Sequence, residues 1–224
     1  MSETEAKQVI SKKRVEDHGE VYTAKREVDA MLDLVKNEAD RIDSRFLEPA
    51  CGTGNFLAEI LERKLNLIAN RYGKSQIEFE RYSVIAIGSL YGVDILQDNV
   101  IACRQRLYEL FKNFYTGLYK SKAQEKCLDA IKYILSRNVL HGDALTLHTV
   151  SIAGQPSKPI VFSEWSGVNG SKIKRRDFIY ADLVDRASHR EMPLFSDLEE
   201  EAYIPEPVKD FPLTHYLEVG NVSE

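Results

Sequence analysis

Hydrophobic positions along the chain recur with two spacings, and the alternation between them outlines an architecture. In AKREVDAMLDLV, Val28, Met31, Leu32 and Val35 share one face at the helical period. RIDSRFLEP is a short apolar run closed by Pro49, and it predicts a strand ending at Leu47. From Asn55 onward, Phe56, Leu57, Ile60, Leu61, Leu65 and Ile68 return to helical spacing. RYGKSQIEFERYS (71–83) is polar and reads as a loop or hairpin insertion, while VIAIGSLYGVDIL (84–96) reads as a buried strand ending at Asp94. Val100, Leu107, Leu110, Phe111 and Phe114 mark a helix over 99–115, and CLDAIKYILSRN marks a further one stopped near Asn138. VLHGDAL is a very short strand followed by a turn. Strands alternating with helices in this way predict βαβ units, hence an α/β fold with a doubly wound, mostly parallel sheet.

The pattern changes after Thr149. Residues 159–165 form another strand-like run, and SGVNGSKIKRRDFIYADL alternates apolar and basic residues as an exposed hairpin strand would. From Ser188 the chain is rich in proline and predicts an extended tail packed on the same domain. The expected organisation is an N-terminal arm (1–20), a main domain (21–187) and this tail (188–224).

A length of 224 residues with 43% hydrophobic content suits one globular core. No apolar run approaches the ~20 residues of a membrane helix, and the polar N-terminus lacks the apolar centre of a secretion signal. The expectation is a cytoplasmic protein without a membrane partner. Cys51, Cys103 and Cys127 are odd in number and lack metal-type spacing, so reduced thiols and no metal site are expected. A net charge of −5 argues against a broad nucleic-acid surface. The local exception is KIKRRDF, where Lys172, Lys174, Arg175 and Arg176 beside Phe178 are candidates for phosphate contact. A charged edge strand that discourages aggregation explains the same residues.

FLEPACGTGNFL carries the most specific chemistry. Gly52 and Gly54 at a strand-to-helix turn let a ligand approach the backbone, and Asp94, ending the next strand, suits ribose hydroxyls. Nicotinamide-binding turns favour a third glycine, where Asn55 and Phe56 stand here. Glu48 would repel a pyrophosphate but suits a cationic group, such as the ammonium or sulfonium of S-adenosylmethionine.

FLEPACGTGNFL resembles motif I of the adenine-specific DNA methyltransferases of restriction-modification systems. HGEVYTAKREVDAML resembles their upstream methionyl-binding motif, YGVDILQDNVIACRQRL their acidic second-strand motif, and HGDAL their third-strand Asp. The four stand in the family's order over residues 17–145. The resemblance implies a Rossmann-like methyltransferase fold, S-adenosylmethionine as cofactor and DNA as partner. It assigns Thr23 to the methionyl carboxylate, with Ala24 where the family prefers proline. Glu48 and the backbone around Ala50, Gly52 and Gly54 would hold the methionyl end, with Asn55 and Phe56 opening the helix behind it. Asp94 would accept from the ribose, Ile95 would pack on the adenine ring, and Asp143, with Ala144 beside it, would accept from the adenine amine. For Asp143 a helix N-cap is the competing reading.

The family's catalytic motif, Asn/Asp/Ser-Pro-Pro followed by an aromatic residue, does not occur in this chain, which contains no Pro-Pro. The chemistry needs acceptors for the two amine protons and a ring to stack on the flipped base. Ser163, Glu164 and Trp165 are the nearest positional candidates, against a surface strand with one buried tryptophan. Three functions therefore compete: a methyltransferase-type protein whose catalytic and target-recognition parts come from a partner chain, a compact enzyme with a divergent site at 163–165, and a cofactor-binding or regulatory module without transfer activity.

Overall fold

A computed structural model describes residues 23–151, 156–184 and 206–221; the predicted arm and the first half of the predicted tail lie outside the described residues. Helix α1 (Lys25–Leu34) docks through Val28 and Leu32. Met31 and Val35, predicted for the same face, are 52% and 45% exposed. Val35 has already left helical geometry as the C-cap, which turns it away before the four-residue helix α2 (Lys36–Ala39).

Strands β1 (Phe46–Glu48), β2 (Leu90–Asp94) and β3 (Val139–Asp143) are parallel in that order, and β4 (His148–Thr149) pairs antiparallel with β3. Helices α3 (Asn55–Tyr72) and α4 (Gln76–Gly88) connect β1 to β2. Helices α5 (Gln97–Tyr119) and α6 (Glu125–Asn138), separated by a 3-10 turn at Lys120–Lys122, connect β2 to β3. The protein is thus a mixed α/β fold with a mostly parallel four-stranded sheet. Among the described residues, no helix is long and apolar enough to cross a membrane.

Helix α4 differs from expectation. The polar segment at 71–83 and the first residues of the predicted strand at 84–96 belong largely to this one helix, and the strand begins only at Leu90. The helix is wedged against α3, α6 and the strand at 161–167, so Phe79, Glu80, Ser83, Val84, Ala86, Ile87 and Gly88 are all buried. A helix enclosed on most sides carries little amphipathic period, and a run such as VIAIG then looks like a strand. Its buried Glu80 is sustained by hydroxyls of Tyr115 and Tyr216 and the amide of Gln76.

Strands β5 (Val161–Gly167) and β6 (Lys172–Ile179) form an antiparallel hairpin, and β6, expected to be an exposed strand, instead buries Ile173, Arg175 and Asp177. The described part of the tail adds β7 (Lys209–Asp210) and β8 (Thr214–His215) along β6, then a 3-10 segment at Tyr216–Asn221 against α6. β5 crosses α4 where a Cβ on Gly88 would lie 2.8 Å from Trp165 Cβ, so only glycine permits this approach. Most core side chains form one cluster, in which helix residues meet Cys51, Leu90, Val139, Trp165 and Ile173, and Tyr216 and Val219 of the 3-10 segment. The other face of β2 (Tyr91, Val93) packs on Ile160, Phe162 and Tyr180.

Candidate functional site

The glycine turn lies where β1 passes into α3, at the carboxyl ends of the parallel strands. Gly52 and Gly54 have φ of 51° and 82°, left-handed values that admit glycine without strain. At Gly54 a Cβ would also stand 2.6 Å from Cys103 Sγ. Two backbone bonds hold the turn: Cys51 N–H to the Val93 carbonyl at 2.9 Å, and Gly54 N–H to the Cys51 carbonyl at 2.8 Å. Asp94 closes it from the neighbouring strand, its Oδ2 accepting from Gly52 N–H at 2.8 Å. Oδ1 of the same carboxylate accepts from Leu96 N–H at 2.8 Å and Asn99 Nδ2 at 3.2 Å. A carboxylate offers about four acceptor positions, so about one is left for a ligand hydroxyl.

Glu48, at the end of β1, is half-buried, and burial pushes its carboxyl above the ordinary range despite a hydrogen bond from the Ala50 backbone. Among the described residues no cation pairs with it. A partly desolvated, unpaired carboxylate favours a cationic group brought by a ligand. Thr23 joins the same place from 32 residues upstream: its carbonyl accepts from Asn55 Nδ2 at 3.4 Å. Asn55 opens α3, Phe56 packs against the core beside it, and Ala50 lies in the turn. Ile95 is 51% exposed just beyond Asp94, and His141 Nε2 donates to its carbonyl at 2.9 Å.

The structure therefore brings Thr23, Glu48, the 50–56 turn, Asp94 and Ile95 to one end of the sheet. Asp143 reaches that end through the β2–β3 register, in which Asp94 lies opposite His141. It caps a turn, accepting from Leu145 N–H at 2.8 Å, and no helix follows it. Ala144 packs on the smaller core cluster. Residues that sequence reasoning missed complete the turn: Asn99 on Asp94, and Arg106, which donates to Asn55 Oδ1 and to the Thr53 carbonyl. Both lie on α5 on its side facing the turn, a position no local motif marks.

Ser163, Glu164 and Trp165 are not at this site. Glu164 pairs with Arg45, which precedes β1, and Ser163 N–H donates to Asn138, which precedes β3, so the three residues sit toward the amino ends of the strands. All are buried. Ser163 Oγ donates to Asp177 at 2.7 Å, Glu164 also pairs with Arg176 at 2.7 Å, and Trp165 stands edge-on to Tyr133 in the core. Trp165 is buried as the competing reading expected, with no open ring face to offer a base, but the strand is not a surface one: Ser163 and Glu164 are buried too and have internal partners.

The basic strand is used internally as well. Arg175 is 4% exposed, doubly bonded to Asp177 and stacked over Phe211 at 4.0 Å. Lys174 pairs with Asp210, Arg176 with Glu164, and Lys172 alone of the four is exposed. Comparisons of the chain with protein-family models, with curated proteins and with solved structures find no significant match.

Proposed function

We propose that this chain binds S-adenosylmethionine at the glycine turn and works as a DNA adenine methyltransferase-type protein, its Rossmann-like half-site completed by a partner chain. One observation carries the reading: a half-buried Glu48, with no cation paired to it among the described residues, lies beside a left-handed glycine turn that Asp94 clamps. Glu48 suits the methionyl ammonium, the remaining acceptor position of Asp94 suits a ribose hydroxyl, and exposed Ile95 suits an adenine face. Asp143 and Ala144 would border that ring. When bound, the cofactor supplies an electrophilic methyl group; this chain supplies its seat. The acceptors and stacking ring for the target adenine come from the partner, since Ser163, Glu164 and Trp165 are committed to packing. That commitment also supports a second reading, a cofactor-binding or regulatory module without transfer.

The test is calorimetric titration of the purified chain with S-adenosylmethionine, alongside Glu48→Gln and Asp94→Asn. Asp94→Ala is a poor probe, because it would also release the Gly52 amide and loosen the turn. Binding weakened in both conservative variants, with unchanged melting temperatures, supports the seat. A folded wild type that does not bind sinks it. Methyl transfer to adenine in duplex DNA, observed only on adding a chain co-purified from the native host, separates the two readings.

A further inference from the structure

The sequence placed its phosphate candidates on β6, where the fold consumes three of the four charges. A different set of cations is left outside. Arg71 lies in the last turn of α3, Lys74 in the α3–α4 turn, and Lys120 and Lys122 bound the 3-10 turn between α5 and α6; all four are exposed. No ion pair forms at any of them among the described residues. Two hydrogen bonds draw the two turns together: Tyr119 Oη donates to the Gly73 carbonyl, and Gln76 Nε2 donates to the Lys122 carbonyl, each at 2.9 Å. Both accepting groups are backbone carbonyls, so the charged tips are spare. Tyr72 and Tyr82 stack at 4.0 Å beside them, with the Arg81 guanidinium 4.7 Å over Tyr82. Arg81 itself is held by the Gly170 carbonyl at 2.9 Å. The acids flanking this surface are Glu78, in the first turn of α4, and Glu125, in the first turn of α6, which lies 3.9 Å from the Lys132 ammonium; the adjacent Glu80 is buried with its hydroxyl donors.

Four cations without an ion pair among the described residues, against two flanking acids of which one already faces Lys132, form a local concentration of positive charge on a chain of net charge −5. Lys120 is held there at a left-handed φ of 49°, a conformation a non-glycine residue adopts only at a cost. We infer that the joined α3–α4 and α5–α6 turns form a sequence-independent grip on the phosphate backbone of duplex DNA, through Arg71, Lys74, Lys120 and Lys122. The choice of DNA among polyanions rests on the function proposed above; the charge cluster does not. Helix α3 has 18 residues, so the grip lies about 27 Å from the glycine turn. A duplex held there is anchored apart from the cofactor seat, so the contact gives affinity and no base selection.

Fluorescence anisotropy with a labelled duplex of arbitrary sequence, titrated from 50 to 200 mM salt, tests this. Neutralising about four phosphates gives a log–log salt slope of about −3.6, or roughly a 100-fold loss of affinity over that range. The variant Arg71→Gln, Lys74→Gln, Lys120→Gln, Lys122→Gln keeps both backbone contacts, so it should fold and lose most of the affinity and the slope. Lys172→Gln, on β6, should change neither. A wild type that does not bind the duplex, or a folded quadruple variant that binds with the same slope, overturns the proposal. So does equal or tighter binding to vesicles of anionic lipid than to the duplex. S-adenosylmethionine binding, measured on the same preparations, reports on the cofactor seat alone: its loss with intact DNA binding removes the proposed function and leaves the grip.

Discussion

Lys64 is fully buried in α3, and its ammonium joins the starts of two strands. It donates to the carbonyls of Ile42 (3.1 Å) and Ser44 (2.5 Å), just before β1, and to Ser89 Oγ (2.5 Å), just before β2. Burial pushes it from an ordinary value of 10.5 down to about 7, against a smaller raising influence from Asp43. The folded chain therefore releases a proton near pH 7 that the unfolded chain keeps until about 10.5. Where the unfolded state binds more protons, stability rises with pH, by up to about 1.4 kcal/mol per unit. The cost of the buried charge is fully present below pH 7 and is relieved above it. From pH 7 to 8.5 the gain integrates to about 1.6 kcal/mol, or about 0.8 M in urea midpoint for a slope of about 2 kcal/mol/M. Above about pH 9 the trend reverses. Cys51, through its hydrogen bond with Cys103 and burial, and Cys127, through burial, are both raised above the ordinary 9.0, so the folded chain keeps protons there that the unfolded chain loses.

Urea unfolding at pH 6.5, 7.5 and 8.5 in reducing buffer, for wild type and Lys64→Met, reads this out. The absolute stability of the variant mixes two opposing effects, since it removes a buried charge and leaves the Ile42 and Ser44 carbonyls without their donor. The slope is free of that mixture. Wild type should gain midpoint with pH and Lys64→Met should not; parallel profiles would refute the reasoning.

Single contacts carry the remaining expectations. Glu48→Gln should weaken S-adenosylmethionine binding about 10- to 100-fold by calorimetry, the equivalent of one charged hydrogen bond. Gly54→Ala, at φ 82° with Cys103 Sγ 2.6 Å from the new Cβ, should destabilise by about 2 kcal/mol or more in urea. Adding Cys103→Ala should recover part of that loss. Trp165→Ala should cost about 3–5 kcal/mol in urea unfolding, as a core truncation does; a small loss would reopen a surface role for the ring. Tyr216→Phe removes the 2.7 Å hydroxyl donor to buried Glu80 and should lower the melting temperature by roughly 4–8 °C.

What the sequence made legible is what local chemistry determines. A left-handed turn demands glycine at the turn itself, so Gly52 and Gly54 announce it, and Asp94 is marked by ending an apolar run. Helix α4 was hidden because burial on most sides erased its period, and because its polar members serve a buried hub: Glu80 takes hydroxyls from Tyr115, 35 residues away, and Tyr216, 136 residues away. The 163–165 stretch misled for a related reason. A strand's alternation gives its two faces, yet nothing local says which end of another sheet the hairpin will lie against, and Arg45 and Asn138 settle that from 119 and 25 residues away. The same logic reverses the two basic clusters. KIKRRDF is dense in sequence, but three of its four cations meet Asp177, Asp210 and Glu164 in the fold and are neutralised. Arg71 and Lys74 are separated by some 46 residues from Lys120 and Lys122, so no window over the chain shows them together; the Tyr119–Gly73 bond does. Charge available to a partner is what remains after folding has taken its share, which is why the weaker signal in sequence is the stronger surface in structure.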